Sequence, residues 1–191
     1  MSSIKQLAEW SLFLDRDGVI NQRIPGDYVK RWEEFVFLPG VLEVWPMLAQ
    51  IFPRLFIVTN QQGIGKGLMT ANDLELVHET MQKQVMAVGG RLDRAYYCPE
   101  LAIQSPPCRK PNIGMAEWAK RDFPTVQFAK SIMVGDSISD MQFGWTAGMK
   151  TVFITTKEGE LEKLQTLAQK PDLVLPRLSN LPNFLQELVG A

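Results

Sequence analysis

The sequence is poor in the residues on which several classes of enzyme depend. Its 191 residues include one histidine, His78, and two cysteines. His78 falls within a predicted helix, where a position on the helix surface or in a groove is expected, and this argues against histidine-dependent phosphatases and Ser-His-Asp hydrolases. Thiol phosphatases need the spacing Cys-x5-Arg, but Gln104 and Gly114 stand where that arginine would be. Catalysis must therefore come from carboxylates, hydroxyls and lysines.

Long apolar runs and an excess of one charge are also missing. The chain has 20 Lys and Arg against 21 Asp and Glu, a net charge of -1, which predicts no partnership with nucleic acid or an anionic membrane. No apolar run approaches the roughly 20 residues that span a bilayer. Residues 1–14 carry Lys5 and Glu9 where a secretory leader would be apolar. Because two cysteines are too few for a disulfide framework, we expect a soluble cytoplasmic protein.

Short apolar runs alternate with longer segments of helical periodicity, which is typical of a parallel sheet covered by helices. The predicted strands are 11–14, 54–58, 95–98, 131–134, 151–154 and 172–175, and the predicted helices are 40–52, 71–88, 112–122, 138–147, 159–169 and 183–188. Pro46 interrupts the pattern of the first helix. The length favours a single domain, residues 1–191, with an α/β fold of three layers.

Polar side chains follow the predicted strands at points that a parallel sheet would bring together. Asp15, Thr59 and Asp136 each come directly after a strand, and Asp17 lies two residues beyond Asp15. The carboxyl ends of parallel strands share one edge of the sheet, where ligands bind. Two carboxylates this close repel each other, and a divalent cation such as Mg²⁺ removes that cost. By itself, however, Asp-x-Asp-Gly is also typical of a solvated turn after an edge strand.

Five segments together resemble one family. The segments are FLDRDGVIN, FLPGV, IVTNQQGIGKG, CRKP and VGDSISDM, in this order from Leu12 to about Ile154. They resemble the haloacid dehalogenase (HAD) superfamily, and in particular its capless branch of bacterial heptose-bisphosphate and histidinol-phosphate phosphatases. The resemblance implies a Rossmann-like, HAD-like fold with helices on both faces of the sheet. The segments that separate the motifs are too short for a large cap domain, so an open site is expected.

The resemblance also assigns catalytic roles. It implies that Asp15 is a nucleophile that forms an aspartyl-phosphate and that Asp17 is the general acid and base. A second acid favours phosphoryl transfer over dehalogenation, because an alkoxide leaving group needs a proton and a halide does not. Thr59 and Asn60 are expected to donate hydrogen bonds to phosphoryl oxygens. Lys110 is expected to bridge the nucleophile and the phosphoryl group.

Metal and substrate ligands follow from the same resemblance. Mg²⁺ would bind the carboxylates of Asp15 and Asp136 and the backbone carbonyl of Asp17. Asp140 is expected either to act behind the metal ligands or to favour the N-terminus of a helix. Arg109 resembles the branch's substrate-binding arginine, whose planar guanidinium suits a phosphate.

The loop before Arg-Lys-Pro departs from the branch, in which many members bind a structural zinc through three cysteines and a histidine. Cys98 and Cys108 match two of these ligands, but Glu100 and Pro106 stand at the others. A closed zinc site normally has four strong ligands. We therefore expect no zinc and expect prolines and a shorter loop to hold the segment.

These observations predict a Mg²⁺-dependent phosphatase of a small phosphorylated metabolite. D-glycero-D-manno-heptose 1,7-bisphosphate is the first substrate hypothesis, and histidinol phosphate is the alternative. A non-catalytic binding protein on the same fold is a further hypothesis. It is disfavoured because such a protein is expected to lose at least one of Asp15, Asp17, Lys110 and Asp136, and all are present.

Overall fold

A parallel sheet of six strands forms the centre of the protein, in a computed structural model that describes residues 7–190. Part of the N-terminal segment considered above as a leader, residues 1–6, lies outside the described residues. The strands are β1 (Ser11–Leu14), β2 (Arg54–Asn60), β3 (Arg94–Cys98), β4 (Ser131–Gly135), β5 (Lys150–Ile154) and β6 (Leu173–Leu175). Their order in the sheet is β3-β2-β1-β4-β5-β6.

Helices cover both faces of this sheet. They are α1 (Val41–Ile51), α2 (Ala71–Ala87), α3 (Gly114–Asp122), α4 (Ile138–Ala147), α5 (Glu160–Thr166) and α6 (Leu185–Val189). Leu12 and Leu14 pack with α1, α2 and α6 in one apolar cluster, whereas Phe13 packs with α3 and α4 in another. Because successive side chains of a strand point to opposite faces, this alternation places the sheet between two helical layers. The predicted three-layer α/β fold is confirmed.

Some boundaries differ from the sequence-based expectation. Strand β2 extends through Asn60, so Thr59 lies inside the strand and pairs in register with Tyr97. Helix α1 continues through Pro46. Helix α5 ends at Thr166, short of the expected boundary, where Lys170 Nζ donates hydrogen bonds to the carbonyl oxygens of Leu164 and Gln165. A cation at carbonyl oxygens of the last turn stabilises the end of the helix there.

The strand order places a crevice above the centre of the sheet. From β1 the chain first adds β2 and β3 on one side, and then crosses to add β4, β5 and β6 on the other. Asp15 directly follows β1, and its backbone N–H donates to the carbonyl oxygen of Val134 in β4. Ligands of open α/β sheets bind at such a reversal of strand order. None of the helices within residues 7–190 is long and apolar enough to cross a membrane.

Candidate active site

A buried lysine joins two carboxylates above the centre of the sheet. Lys110 Nζ lies 2.8 Å from Asp15 Oδ1 and 2.6 Å from Asp140 Oδ1. It also donates a hydrogen bond of 2.7 Å to the carbonyl oxygen of Val58 in β2. These partners come from different parts of the chain, and all three side chains are buried. Asp15 and Lys110 are therefore in contact, as the sequence predicts.

Two links hold the loop that carries Lys110. The side-chain amide of Asn60 donates to the Lys110 carbonyl oxygen at 3.1 Å and accepts from its N–H at 3.0 Å. Cys98 and Cys108 form a disulfide with their Cα atoms 5.3 Å apart. The loop is thus stapled covalently, rather than by prolines and its short length alone as expected. Asn60, predicted to bind substrate, uses its amide to position the Lys110 backbone.

The carboxylate of Asp17 is surrounded by hydrogen-bond donors. Arg16 Nη2 lies 2.9 Å from both of its oxygens, and the amides of Asn21 and Gln61 each donate at 2.9 Å. Burial alone would raise the pKa of Asp17, but Arg16, Asn21 and Gln61 together outweigh burial and hold this pKa below its ordinary value. Gln61 also donates to Thr59 Oγ1 at 2.9 Å, which orients the Thr59 hydroxyl at the wall of the site.

The single histidine supports Asp17 indirectly. His78 Nε2 lies 3.2 Å from Nη1 of the fully buried Arg16. Since a guanidinium only donates, Nε2 must be the unprotonated ring nitrogen. Burial and the Arg16 charge lower the pKa of His78 to about 3. His78 is therefore a buried neutral acceptor rather than a residue of the helix surface, and it helps to orient Arg16 towards Asp17.

A glycine allows Asp136 to approach the end of β1. Asp136 is fully buried, and a Cβ added at Gly18 would lie 1.9 Å from Asp136 Oδ2. Gly18 also has a φ of +92°, which residues with a Cβ rarely adopt. The glycine that follows the Asp-x-Asp pair thus serves both the turn and the close packing of Asp136.

Asp140 lies at the N-terminus of α4 and faces Lys110. Its Oδ2 accepts hydrogen bonds from the backbone N–H of Ser137 at 3.0 Å and from the Ser137 hydroxyl at 2.6 Å, at the N-terminus of α4. Its Oδ1 meets Lys110. A Cβ added at Gly135 would lie 2.1 Å from the Asp140 Cβ, so close packing also holds Asp140 in place.

An arginine that the sequence-based prediction missed lies among the expected metal ligands. Arg23 Nη2 is 2.7 Å from the Asp17 carbonyl oxygen, 2.8 and 3.1 Å from the two oxygens of Asp136, and 4.0 Å from Asp15 Oδ2. No motif in the sequence points to Arg23, since it lies beyond the acid pair in a polar loop. Its contact with Asp136 spans 113 residues of chain.

The oxygen ligands fit a divalent cation. Carboxylate oxygens of Asp15, Asp136 and Asp140 lie within 4.8 Å of one another. Burial, reinforced by the charge of Asp15, raises the pKa of Asp136 to about 7. Burial likewise raises the pKa of Asp15, against the opposing effect of Lys110. Hard oxygen ligands in a buried cluster of carboxylates suit Mg²⁺, which would stabilise their ionised forms.

The site opens into a cavity of about 440 Å³ with a basic rim. The lining residues include Asp15, Asp17, Arg23, Tyr28, Thr59, Asn60, Lys66, Arg109, Lys110, Ser137, Asp140 and Lys157. Arg109 is half-buried, and its buried Nη1 has no hydrogen-bond partner among residues 7–190. The predicted site residues Asp15, Asp17, Lys110 and Arg109 therefore all line this cavity, while Asp136 lies beneath it.

Known proteins are similar to this chain in sequence and in fold. A family model described as HAD-hydrolase-like matches residues 107–181. A D-glycero-alpha-D-manno-heptose-1,7-bisphosphate 7-phosphatase of Mycobacterium bovis is 43% identical over 135 residues, covering 70% of each chain. The chain belongs to the HAD-like phosphatase family. The D-glycero-beta-D-manno-heptose-1,7-bisphosphate 7-phosphatase of Salmonella typhi is 35% identical over 185 residues, covering 93% of this chain and 95% of that one.

A solved structure agrees with this family assignment. The D,D-heptose 1,7-bisphosphate phosphatase of B. bronchiseptica, complexed with magnesium and phosphate, has a TM-score of 0.83 and 32% identity. The match covers 93% of this chain and 99% of that one. The resemblance to HAD phosphatases, the fold and the phosphatase class predicted from the sequence are confirmed. The roles assigned to individual residues stay predictions.

Proposed function

We propose that this HAD-family phosphatase removes the 7-phosphate of D-glycero-D-manno-heptose 1,7-bisphosphate with the help of Mg²⁺. The observation that carries the proposal is the Asp15–Lys110–Asp140 cluster in the wall of a cavity that basic side chains also line, in a chain whose relatives are named for this reaction. The cluster supplies a nucleophile and a fixed cation for phosphoryl transfer. The relatives supply the substrate hypothesis.

Asp15, Asp136 and the backbone carbonyl oxygen of Asp17 would hold the metal. When bound, Mg²⁺ neutralises negative charge on the carboxylates and the phosphoryl oxygens. These three groups already surround one point, because Arg23 Nη2 lies within 4.0 Å of all of them. For zinc, the disulfide engages both Cys98 and Cys108, which supports the prediction that the loop binds no structural zinc.

In the first chemical step, the Asp15 carboxylate attacks phosphorus and the bond from phosphorus to the sugar oxygen breaks. Asp17 gives its proton to that leaving oxygen. Lys110 holds the Asp15 side chain in place and offsets charge on the phosphoryl oxygens. The donors around Asp17 favour its ionised form. Protonation of Asp17 for this step works against these donors, because it weakens the hydrogen bonds between the carboxylate and Arg16.

In the second step, water attacks phosphorus and the bond from phosphorus to Asp15 breaks. Asp17 takes the proton of that water. Its pKa lies below the ordinary value because Arg16 stabilises the ionised carboxylate. Inorganic phosphate leaves and Asp15 is regenerated. The net reaction is hydrolysis of one phosphomonoester, with both proton transfers passing through Asp17.

The cavity rim offers binding groups for the rest of a bisphosphate. Lys66, Arg109 and Lys157 line the cavity together with the catalytic residues. The buried Nη1 of Arg109, which has no hydrogen-bond partner in the described part of the chain, is a donor that a substrate oxygen could satisfy. An anion beyond the reacting phosphate, such as the 1-phosphate of the heptose, is therefore favoured over a substrate with a single phosphate.

Turnover of purified protein tests this proposal. Phosphate release should be fastest with the alpha or beta anomer of the heptose 1,7-bisphosphate, should stop in EDTA and should return with Mg²⁺. Histidinol phosphate serves as the competing substrate. Asp15→Asn should abolish turnover without changing the circular dichroism spectrum. Retained activity in Asp15→Asn would reject the covalent mechanism, and equally poor rates on all substrates would reject the heptose assignment.

A further inference from the structure

Arg23 occupies the position where the oxygen ligands converge. A single atom, Nη2, lies 2.7 to 3.1 Å from the Asp17 carbonyl oxygen and both oxygens of Asp136. The same atom is 4.0 Å from Asp15 Oδ2. These are the groups that the proposed function assigns to Mg²⁺. The guanidinium thus lies among the groups that would hold a bound cation and hydrogen-bonds two of the three.

One volume cannot hold both cations. Mg²⁺ binds its oxygen ligands at about 2.1 Å and demands a nearly octahedral arrangement. A nitrogen 2.7 to 3.1 Å from the Asp17 carbonyl oxygen and from both Asp136 oxygens occupies part of the space that this arrangement requires. Metal binding therefore has to move the Arg23 guanidinium.

The side chain of Arg23 is exposed to the cavity, whereas its partner Asp136 is buried. The Arg23 side chain is 38% exposed and lines the open cavity, whereas Asp136 is completely buried. Without a cation, Asp136 would be a buried carboxylate close to Asp15 with no positive charge beside it. Such a group is costly, and a charged hydrogen-bond donor offsets that cost.

We propose that Arg23 is an exchangeable internal counter-ion, which fills the cation position in the metal-free protein and is displaced when Mg²⁺ binds. The proposal rests on the proposed function in one respect, that Mg²⁺ binds at these oxygens. Arg23 then lowers the affinity for Mg²⁺, because part of the binding free energy breaks its ion pair with Asp136. It also stabilises the metal-free protein.

The test is a calorimetric titration of Mg²⁺ into EDTA-treated, dialysed protein. Arg23→Gln should bind Mg²⁺ about 10- to 100-fold more tightly than the wild type, as expected when charged hydrogen bonds no longer compete. Its melting temperature without metal should be lower than that of the wild type, and saturating Mg²⁺ should narrow the gap. The matched control is Arg31→Gln, which removes an exposed pair with Glu34 and should leave both values unchanged.

The outcomes separate this proposal from the proposed function. Equal or weaker Mg²⁺ binding by Arg23→Gln, with binding intact in the wild type, overturns the exchange and leaves the phosphatase proposal standing. No Mg²⁺ binding by any variant overturns both the metal requirement and the exchange. If Arg23→Gln does not fold, Arg23→Lys is tested instead. It keeps the charge on a shorter donor and should tighten Mg²⁺ binding by a smaller factor. Unchanged affinity in Arg23→Lys in that case overturns the proposal.

Discussion

Replacement of His78 by glutamine should remove a specific part of the pH dependence of stability. His78 is buried against Arg16, and its pKa falls from 6.5 to about 3 on folding. Glutamine keeps an acceptor oxygen for Arg16 but does not titrate. A comparison of wild type with His78→Gln therefore isolates the protonation of one ring, since the other titrating groups are common to both proteins.

The sign and size follow from the two pKa values. Below pH 6.5 the unfolded chain binds a proton at His78, whereas the folded protein does not until the pH nears 3. Stability that is present above pH 6.5 is thus lost as the pH falls. At pH 5 the solution is about 1.5 units below the pKa of 6.5 that His78 has in the unfolded chain. Each such unit stabilises the protonated, unfolded form by about 1.4 kcal/mol relative to the folded one. The wild type should therefore lose about 2 kcal/mol between pH 8 and pH 5 that His78→Gln does not lose.

Urea denaturation followed by tryptophan fluorescence measures this difference. Free energies of unfolding for both proteins are needed at half-unit steps from pH 8 to pH 5, in EDTA so that metal binding does not contribute. The quantity of interest is wild type minus variant at each pH. A difference that stays constant within about 0.5 kcal/mol over this range would refute the buried neutral His78, because linkage requires the gap to change.

Other substitutions probe the remaining contacts. Lys110→Met leaves two buried carboxylates without their cation, so urea denaturation in EDTA should show that the free energy of unfolding falls by about 3–5 kcal/mol. Turnover should fall about 10²- to 10³-fold. A loss of stability below about 1 kcal/mol would contradict the buried pairing. Gly18→Ala places a Cβ against Asp136 at a positive φ, and thermal melts should show a loss of about 1–3 kcal/mol, whereas an unchanged melting temperature would show that the turn tolerates a side chain. Replacing Cys98 and Cys108 by serine should lower the free energy of unfolding in urea by about 2–3 kcal/mol relative to the oxidised wild type. Dithiothreitol should destabilise the wild type but not the variant. Equal responses of the two proteins to dithiothreitol would argue against the disulfide.

The sequence alone was sufficient for the architecture and for the position of the acids. The alternation of short apolar runs and helical segments predicts all six strands. Strands that are buried on both faces of a parallel sheet consist of nearly continuous apolar residues, which is the pattern seen. Asp15 and Asp136 directly follow β1 and β4, and the parallel arrangement brings them to one edge whatever the details of packing. The CRKP motif points to Lys110, and the structure places its ammonium group against Asp15.

Only the tertiary structure decided how the site is supported. Four contacts support it, and each joins residues far apart in the chain or depends on side-chain direction. They are the disulfide, the hydrogen bonds of Asn60 to Lys110, the His78 contact with Arg16 and the ion pair of Arg23 with Asp136. Periodicity and local composition record which face of an element is buried, because that is a property of neighbouring residues. They do not record which polar groups meet across that buried space, because those meetings depend on the packing of the whole chain.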